Sequence, residues 1–363
     1  MLDNIIRFFR RIKNAFILVF YICFSASICS NIVSPRDVIL IAPFGLVFIP
    51  LFIINIIILL VYLRRNKWIA IASFVFLICS WPYFSRSFTY HHSNFEKGLK
   101  VMSWNVKNFD LYNWTKNLET KQKMFDLIDT LDADVLCFQE FFTDQFTHNN
   151  IRSIQRLGYR YYCFIPSISQ QNTGNQWGLA IFSKYPITNA HSLHINPNNK
   201  SMNQCIRADI TYRGQKYAIY NAHLQSIHFD YTDYDYIQDV KQEWKMIDFL
   251  KSKNIISKII LAYKNRTSQV EKLTEKISQS ESQKTILCCD LNDVPNSYAY
   301  YRLESILSDS YRAKGKWFSN TTSIILPFFR IDYIFAHPSM TIYSYQRIRT
   351  RLSDHHVLVS CVE

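Results

Sequence analysis

The sequence has no cysteine pair at the spacing of zinc ligands, no internal repeat and no low-complexity tract. These absences argue against a zinc-ribbon module, a solenoid or propeller, and a long compositionally biased segment. No small-residue cleavage site follows the first apolar stretch, so that stretch reads as an uncleaved anchor rather than a signal peptide. Acidic residues are scarce in the first quarter, where residues 1–86 hold two, Asp3 and Asp37, against nine basic ones.

Apolar residues fill that quarter instead. Three stretches, roughly 14–34, 38–63 and 68–84, approach the 20 or so apolar residues that cross a bilayer. The second is the longest and carries no charge, and Pro82 helps to end the third. Arg7, Arg10, Arg11 and Lys13 precede the first stretch, Arg36 alone lies in the first loop, and Arg64, Arg65 and Lys67 fill the second. Basic residues collect on the cytoplasmic side, so three spans put the N-terminus inside and the large C-terminal portion outside, in the plasma or inner membrane. If 68–84 lies in the interface instead, the C-terminal portion is cytoplasmic.

The net charge of +13 is concentrated in the anchor: beyond residue 86 the chain carries 32 basic and 26 acidic residues, a net of +6. That mild excess suits an acidic substrate or an anionic membrane surface and selects neither. Of the nine cysteines, Cys23, Cys29 and Cys79 fall in the apolar stretches, while Cys137, Cys163, Cys205, Cys288, Cys289 and Cys361 fall in strand-like runs, where buried free thiols are expected rather than disulfides.

Residues 87–98 read as a linker, and from about 99 to 363 short apolar strands alternate with helices and loops, the pattern of a layered α/β domain. Strands are expected at KVMSWNV (100–106), DVLCFQE (134–140), YRYYCFI, GLAIFSK, MNQCIRADITY, QKYAIYNAHLQ, TILCCDLND, IDYIFAH and HHVLVSCVE. A helix is expected over 116–131, and a strongly helical stretch over about 233–284, its second half polar enough to be solvent-exposed.

Nearly every strand ends in an acid, amide or histidine. Asn105 closes VMSWN, Glu140 closes DVLCFQE, His223 follows AIYNA, Asp290 and Asn292 close TILCCDLN, Asp332 opens DYIF, and Asp354 with His355 opens the last strand. Singly, each has a structural explanation as a turn residue, helix cap or strand-edge acid. Jointly they are what a divalent-metal phosphoesterase needs. A phosphodiester repels a nucleophile, so the site must supply a hard cation, a base for water and donors to the phosphoryl oxygens. Magnesium takes oxygen ligands and keeps waters, so one or two carboxylates are enough to hold it, and Glu140 is the best candidate.

The motifs MSWNV, CFQE, GLAIFSKYPI, NAHL, CDLN, RIDYIF and LSDHH, in that order over 99–363, resemble the endonuclease/exonuclease/phosphatase superfamily. The resemblance implies a four-layered α/β sandwich of two packed β-sheets flanked by helices, here preceded by transmembrane helices. It also implies a Mg2+-dependent phosphoric ester hydrolase, with Mn2+ as the substitute ion. Carried over by motif, Glu140, Asn105 and Asp354 look like metal-site residues; Asp290 aligns or deprotonates water; Asn292 orients it and binds phosphate. His223 resembles the phosphate-binding histidine, and Asp332 the acid that orients a catalytic His355, with His356 a bystander. The chain departs from the family in Cys289-Asp290-Leu291-Asn292 for Gly-Asp-Phe-Asn, in Val357 for a proline, in Lys107 where abasic-site endonucleases carry an acid, and in Gln176 for their tyrosine. Abasic-site repair is therefore disfavoured. The expected partners are a phosphodiester substrate, nucleic acid first and a phospholipid or sphingolipid headgroup as the rival, and a lipid bilayer through the N-terminal helices. No obligate protein partner is evident, and a non-catalytic binding module is the remaining alternative.

Overall fold

The computed structural model describes residues 2–93, 97–196, 204–227, 249–280, 282–323 and 329–363. The chain begins with helix α1 (Leu2–Cys29), a 3-10 segment (Ile39–Val47), α2 (Phe48–Tyr62) and α3 (Lys67–Phe84). Asn66 caps α3 by accepting the backbone N–H groups of Trp68 and Ile69. Arg7–Cys29, Ile39–Tyr62 and Lys67–Phe84 are long and apolar enough to cross a membrane. Strands β1 (Phe88–Tyr90) and β2 (Leu99–Asn105) follow, then α4 (Thr120–Leu131), β3 (Val135–Thr143), α5 (Asn150–Arg156), β4 (Tyr161–Ser169), β5 (Gln176–Ser183), β6 (Ile187–Leu193), β7 (Cys205–Tyr212) and β8 (Gln215–His223). The remainder comprises α6 (Phe249–Ser278), β9 (Thr285–Asp290), α7 (Tyr298–Glu304), β10 (Ser308–Asp309), α8 (Ser310–Lys314), β11 (Lys316–Phe318), β12 (Asp332–Ala336), β13 (Ile342–Ile348) and β14 (Val357–Val362).

Two six-stranded sheets face each other, one ordered β13-β14-β2-β3-β5-β4 and the other β10-β12-β9-β8-β7-β6. Both are mixed, with β2 and β3 parallel in the first and β8 and β9 parallel in the second. Between them lies an apolar core including Val101, Cys137, Ile181, Ile219, Ile286, Ile334 and Leu358. Continuous apolar runs such as TILCC suit strands covered on both sides. Helix α4 packs Met124, Phe125 and Ile128 on the outer face of the first sheet. Helices α6 and α7 cover the second with Val270, Leu273, Ile277, Tyr300 and Leu303. Helix, sheet, sheet, helix is the expected four-layer order, and the six cysteines of the sheets are buried thiols outside any disulfide.

The segment expected as a linker includes β1, which pairs antiparallel with β11 as Phe88↔Phe318 through Tyr90↔Lys316. The N-terminal helices are bonded into the domain. The buried Arg86 donates to Asn31 Oδ1 at 2.7 Å and pairs with Glu304 at 2.5 Å. Its carbonyl accepts from Arg330 Nη2 at 2.7 Å. Arg330 also reaches Asp309 at 2.7 Å and lies against the rings of Tyr311 and Tyr333. Ser30 Oγ donates to the carbonyl of Asn296, and Phe84 meets Phe318 edge to face.

Helix α6 corrects the expectation of an exposed helix. Its polar residues Arg266, Thr267, Gln269 and Thr274 are buried. Arg266 pairs with Asp293 at 2.7 Å and donates to the carbonyl of Gln225, while Glu271 reaches back to Arg36. The helical expectation over 233–248 lies outside the described residues.

Candidate active site

The strand registers bring the polar ends together. Parallel β8 and β9 set His223 opposite Asp290, antiparallel β9 and β12 set Asp290 opposite Asp332, and β2 sets Asn105 opposite Gln139 on β3. The two sheets then face these ends toward each other. Asn105 Nδ2 donates to Glu140 Oε1 at 3.2 Å and to Asp290 Oδ2 at 3.0 Å, joining the sheets. His223 Nε2 lies 3.6 Å from Asp290 and 3.9 Å from Glu140. Asn292 is held by its backbone N–H on Asp290 Oδ1 and by its side chain on the carbonyl of Leu224.

Glu140 owes its direction to an irregularity. The β3–β5 register shifts between Phe138 and Phe141, and Glu140 takes a positive φ of 49°. A bulge adds a residue to one strand and re-aims the side chain there. Buried Phe138, Phe141 and Phe142 hold the bulge in the core, and the carboxylate is one-third exposed toward the cleft.

On the other side, His355 Nδ1 lies 3.0 Å from both oxygens of Asp332, and its Nε2 lies 3.8 Å from Asp290 Oδ2. Burial pushes the Asp332 carboxyl up to about 6, with His355 opposing the shift and Asp290 adding to it. Burial alone would lower the basicity of His355, but Asp332 and Asp290 outweigh it and hold the imidazole well above its ordinary value. Thr321 Oγ1 accepts the backbone N–H groups of Ile331 and Asp332 and so fixes the start of β12. His356 is turned to other partners: its Nδ1 accepts from the backbone of Thr350, and burial together with Arg347 lowers its pKa to about 4.

Asp354 sits at the edge of the cluster. Lys107 Nζ binds its Oδ2 at 2.7 Å, and Ser353 Oγ is 3.3 Å from its Oδ1 while donating to the carbonyl of Asn105 at 2.8 Å. Burial pushes its pKa up, but His355 and the Lys107 ammonium prevail and keep it below the usual carboxylate range.

The structure adds residues the motif survey did not assign. Gln139 and Asn221 lie buried beneath the site, bonded to each other at 2.7 Å across the sheets, and Asn221 also caps the carbonyls of Phe138 and Ala180. Both stood inside quoted motifs, CFQE and NAHL, so an amide in an otherwise apolar strand was the available signal. Ser353 likewise stood inside LSDHH, whereas Thr321 carried no signal.

A cleft of about 430 Å3 opens from Glu140 and His223, walled by Asn108, Tyr112, Ile168 and Trp177. Gly178 lets its floor close, because a Cβ there would stand 2.1 Å from the carbonyl oxygen of Ile165.

The donor set fits a hard divalent cation. It offers carboxylate oxygens from Glu140 and Asp290 bridged by one amide, with no thiolate among the converging side chains. Asp290, Asp332 and His355 also bring potential ligand atoms within 4.8 Å of one another, but Asp332 already engages His355 through both oxygens.

A family model described as the endonuclease/exonuclease/phosphatase family matches residues 102–355, and one described as a domain of unknown function matches residues 10–87. No curated protein matches the chain. Among solved structures, the human Nocturnin catalytic domain with bound sulfate superposes with a TM-score of 0.55 at 20% identity, covering 78% of this chain and 98% of that one. An endonuclease/exonuclease/phosphatase from Beutenbergia cavernae gives 0.53 at 16% identity, covering 74% and 72%. TDP2 from D. rerio, complexed with a single-strand DNA product, gives 0.50 at 17% identity, covering 74% and 100%.

Proposed function

The chain belongs to the endonuclease/exonuclease/phosphatase family of phosphoric ester hydrolases, and on that premise we propose that it is a membrane-anchored, Mg2+-dependent phosphodiesterase acting on nucleic acid. The observation that carries this reading is the meeting of Asn105, Glu140, His223, Asp290 and the Asp332–His355 pair at the facing ends of the two sheets.

Glu140, with Asn105 beside it, would hold Mg2+ or Mn2+, which when bound supplies Lewis acidity and neutralises phosphoryl charge. Asp290 Oδ2, fixed by Asn105, is placed to align water and take its proton. Asn292, turned by Asp290 and Leu224, orients the same water and donates to phosphate. His223 Nε2 faces the same oxygens and serves the phosphoryl group. His355 stays protonated because Asp332 and Asp290 favour its cation, so its Nε2–H is a charged donor to oxygens that gain charge in the transition state.

Nucleic acid is favoured as substrate by the cleft, which Tyr112 and Trp177 line together with Glu140, placing aromatic side chains near the acid where a base would stack. A lipid headgroup is the second reading, favoured by the bonds that fasten the apolar helices to the domain. Assaying the full chain in micelles with Mg2+ on plasmid, single-stranded DNA, RNA and sphingomyelin separates the two, and cleavage of lipid alone sinks the nuclease reading. The position of Arg7, Arg10, Arg11 and Lys13 in the first turns of α1, ahead of its apolar stretch, supports an outward-facing catalytic domain, which protease accessibility on intact cells tests.

A further inference from the structure

We propose that Lys107 is a built-in cation that takes the place of a second divalent ion at Asp354, so that the centre binds one metal. The inference rests on the metal reading given above and concerns the number of ions it needs.

Lys107 follows β2 by two residues and enters a turn in which four consecutive residues, Lys107 to Asp110, have φ between 43° and 58°. Side chains rarely adopt that conformation, and it persists only where the surroundings enforce it. Here Phe109 is buried and stacks on Phe125, and Asp110 accepts the backbone N–H of Thr115. The turn aims Lys107 back at the site. Its backbone N–H donates to Asn105 Oδ1 at 3.1 Å and so fixes the amide whose Nδ2 reaches Glu140 and Asp290. Its Nζ lies 2.7 Å from Asp354 Oδ2 and 4.8 Å from the centre of the Trp114 ring, which steadies the ammonium from its other side.

These contacts set Asp354 apart from Glu140. Among the described residues Glu140 meets the Asn105 amide and a histidine, whereas Asp354 already has a full positive charge on one oxygen and the Ser353 hydroxyl near the other. A dication seeking Asp354 would have to displace the ammonium or sit against its repulsion. Lys107 thus supplies the positive charge on that side of the phosphate without an ion, and leaves Asp354 as its anchor rather than a ligand.

The test counts ions on the full chain in micelles, titrating with Mn2+ and reading free Mn2+ from its EPR signal alongside calorimetry. Wild type should bind one tight ion, and Asp354→Asn should still bind one. Lys107→Met and Lys107→Gln, which free the Asp354 carboxylate, should bind two, with thermal unfolding checking that each variant is folded. Glu140→Gln should lose the ion. Two tight ions on wild type, loss of an ion from Asp354→Asn, or a count of one in folded Lys107 variants would overturn the proposal. A count of zero on wild type would overturn the metal reading and this proposal with it.

Discussion

The Asp332–His355 pair offers a sharp test of the site because its two members should fail together. In Asp332→Asn the side chain keeps its shape, but the imidazole loses a carboxylate that lies 3.0 Å from Nδ1 through both oxygens. A hydrogen bond to a charged group contributes about 1.5–3 kcal/mol, which at 1.36 kcal/mol per decade is about a tenfold to 150-fold fall in kcat. His355→Ala removes the donor itself and should cost about 100-fold or more. If Asp332 acts through the ring, the double variant should be little worse than His355→Ala, giving a coupling energy close to the whole Asp332→Asn effect. The assay is Mg2+-dependent hydrolysis of bis(p-nitrophenyl) phosphate by the full chain in micelles, with kcat and KM separated. Additive losses would refute the pairing, and so would a His356→Ala loss as large as that of His355→Ala.

Further expectations concern pH and packing. The folded chain keeps the Asp332 carboxyl protonated up to about pH 6, whereas the unfolded chain releases it near 3.8, so its contribution to stability is full at low pH and lost as pH rises through about 6. Melting of chelator-treated Asp332→Asn should therefore fall less between pH 4 and 6 than that of wild type, and equal slopes would discard the assignment. Arg330→Met leaves Asp309 buried without its cation, at a cost of about 3–5 kcal/mol, which lowers the melting temperature by roughly 6–20 °C. A Cβ at Gly178 meets the backbone of Ile165 and Pro166, so Gly178→Ala should cost about 1–3 kcal/mol by thermal unfolding and raise KM more than it lowers kcat.

The residues that converge at the candidate site were legible in the sequence because each stands where an apolar run stops. Strands whose two faces are buried, such as TILCC and VLVSCV, announce themselves, and the residue at the end of each then stands out. Edge strands did not announce themselves. Ile187–Leu193 is polar and largely exposed, so its composition says turn as readily as strand, and β1 and β11 are defined only by each other. Helix α6 misled for a related reason. Arg266, Thr267, Gln269 and Thr274 look solvated in one dimension, but each finds a hydrogen-bond partner that lets it be buried. The direction of Glu140 was out of reach altogether, because it depends on a bulge that exists only once β3 pairs with β5. Lys107 could be seen as a departure from related motifs, but its partner Asp354 lies 247 positions away and only the fold brings the two together.

The fastening of the third helix has a geometrical consequence. Arg86 lies two residues past α3 and is gripped by Asn31, Glu304 and Arg330, with Phe84 wedged on Phe318 nearby. A domain secured at so many points cannot swivel as it would on a string. Whatever surface seats the helices also aims the mouth of the cleft, as a bracket aims a lamp. On the membrane-anchored reading, the enzyme's catchment is a thin shell at constant height rather than a sphere swept by a tether, and substrate outside that shell has to come to it.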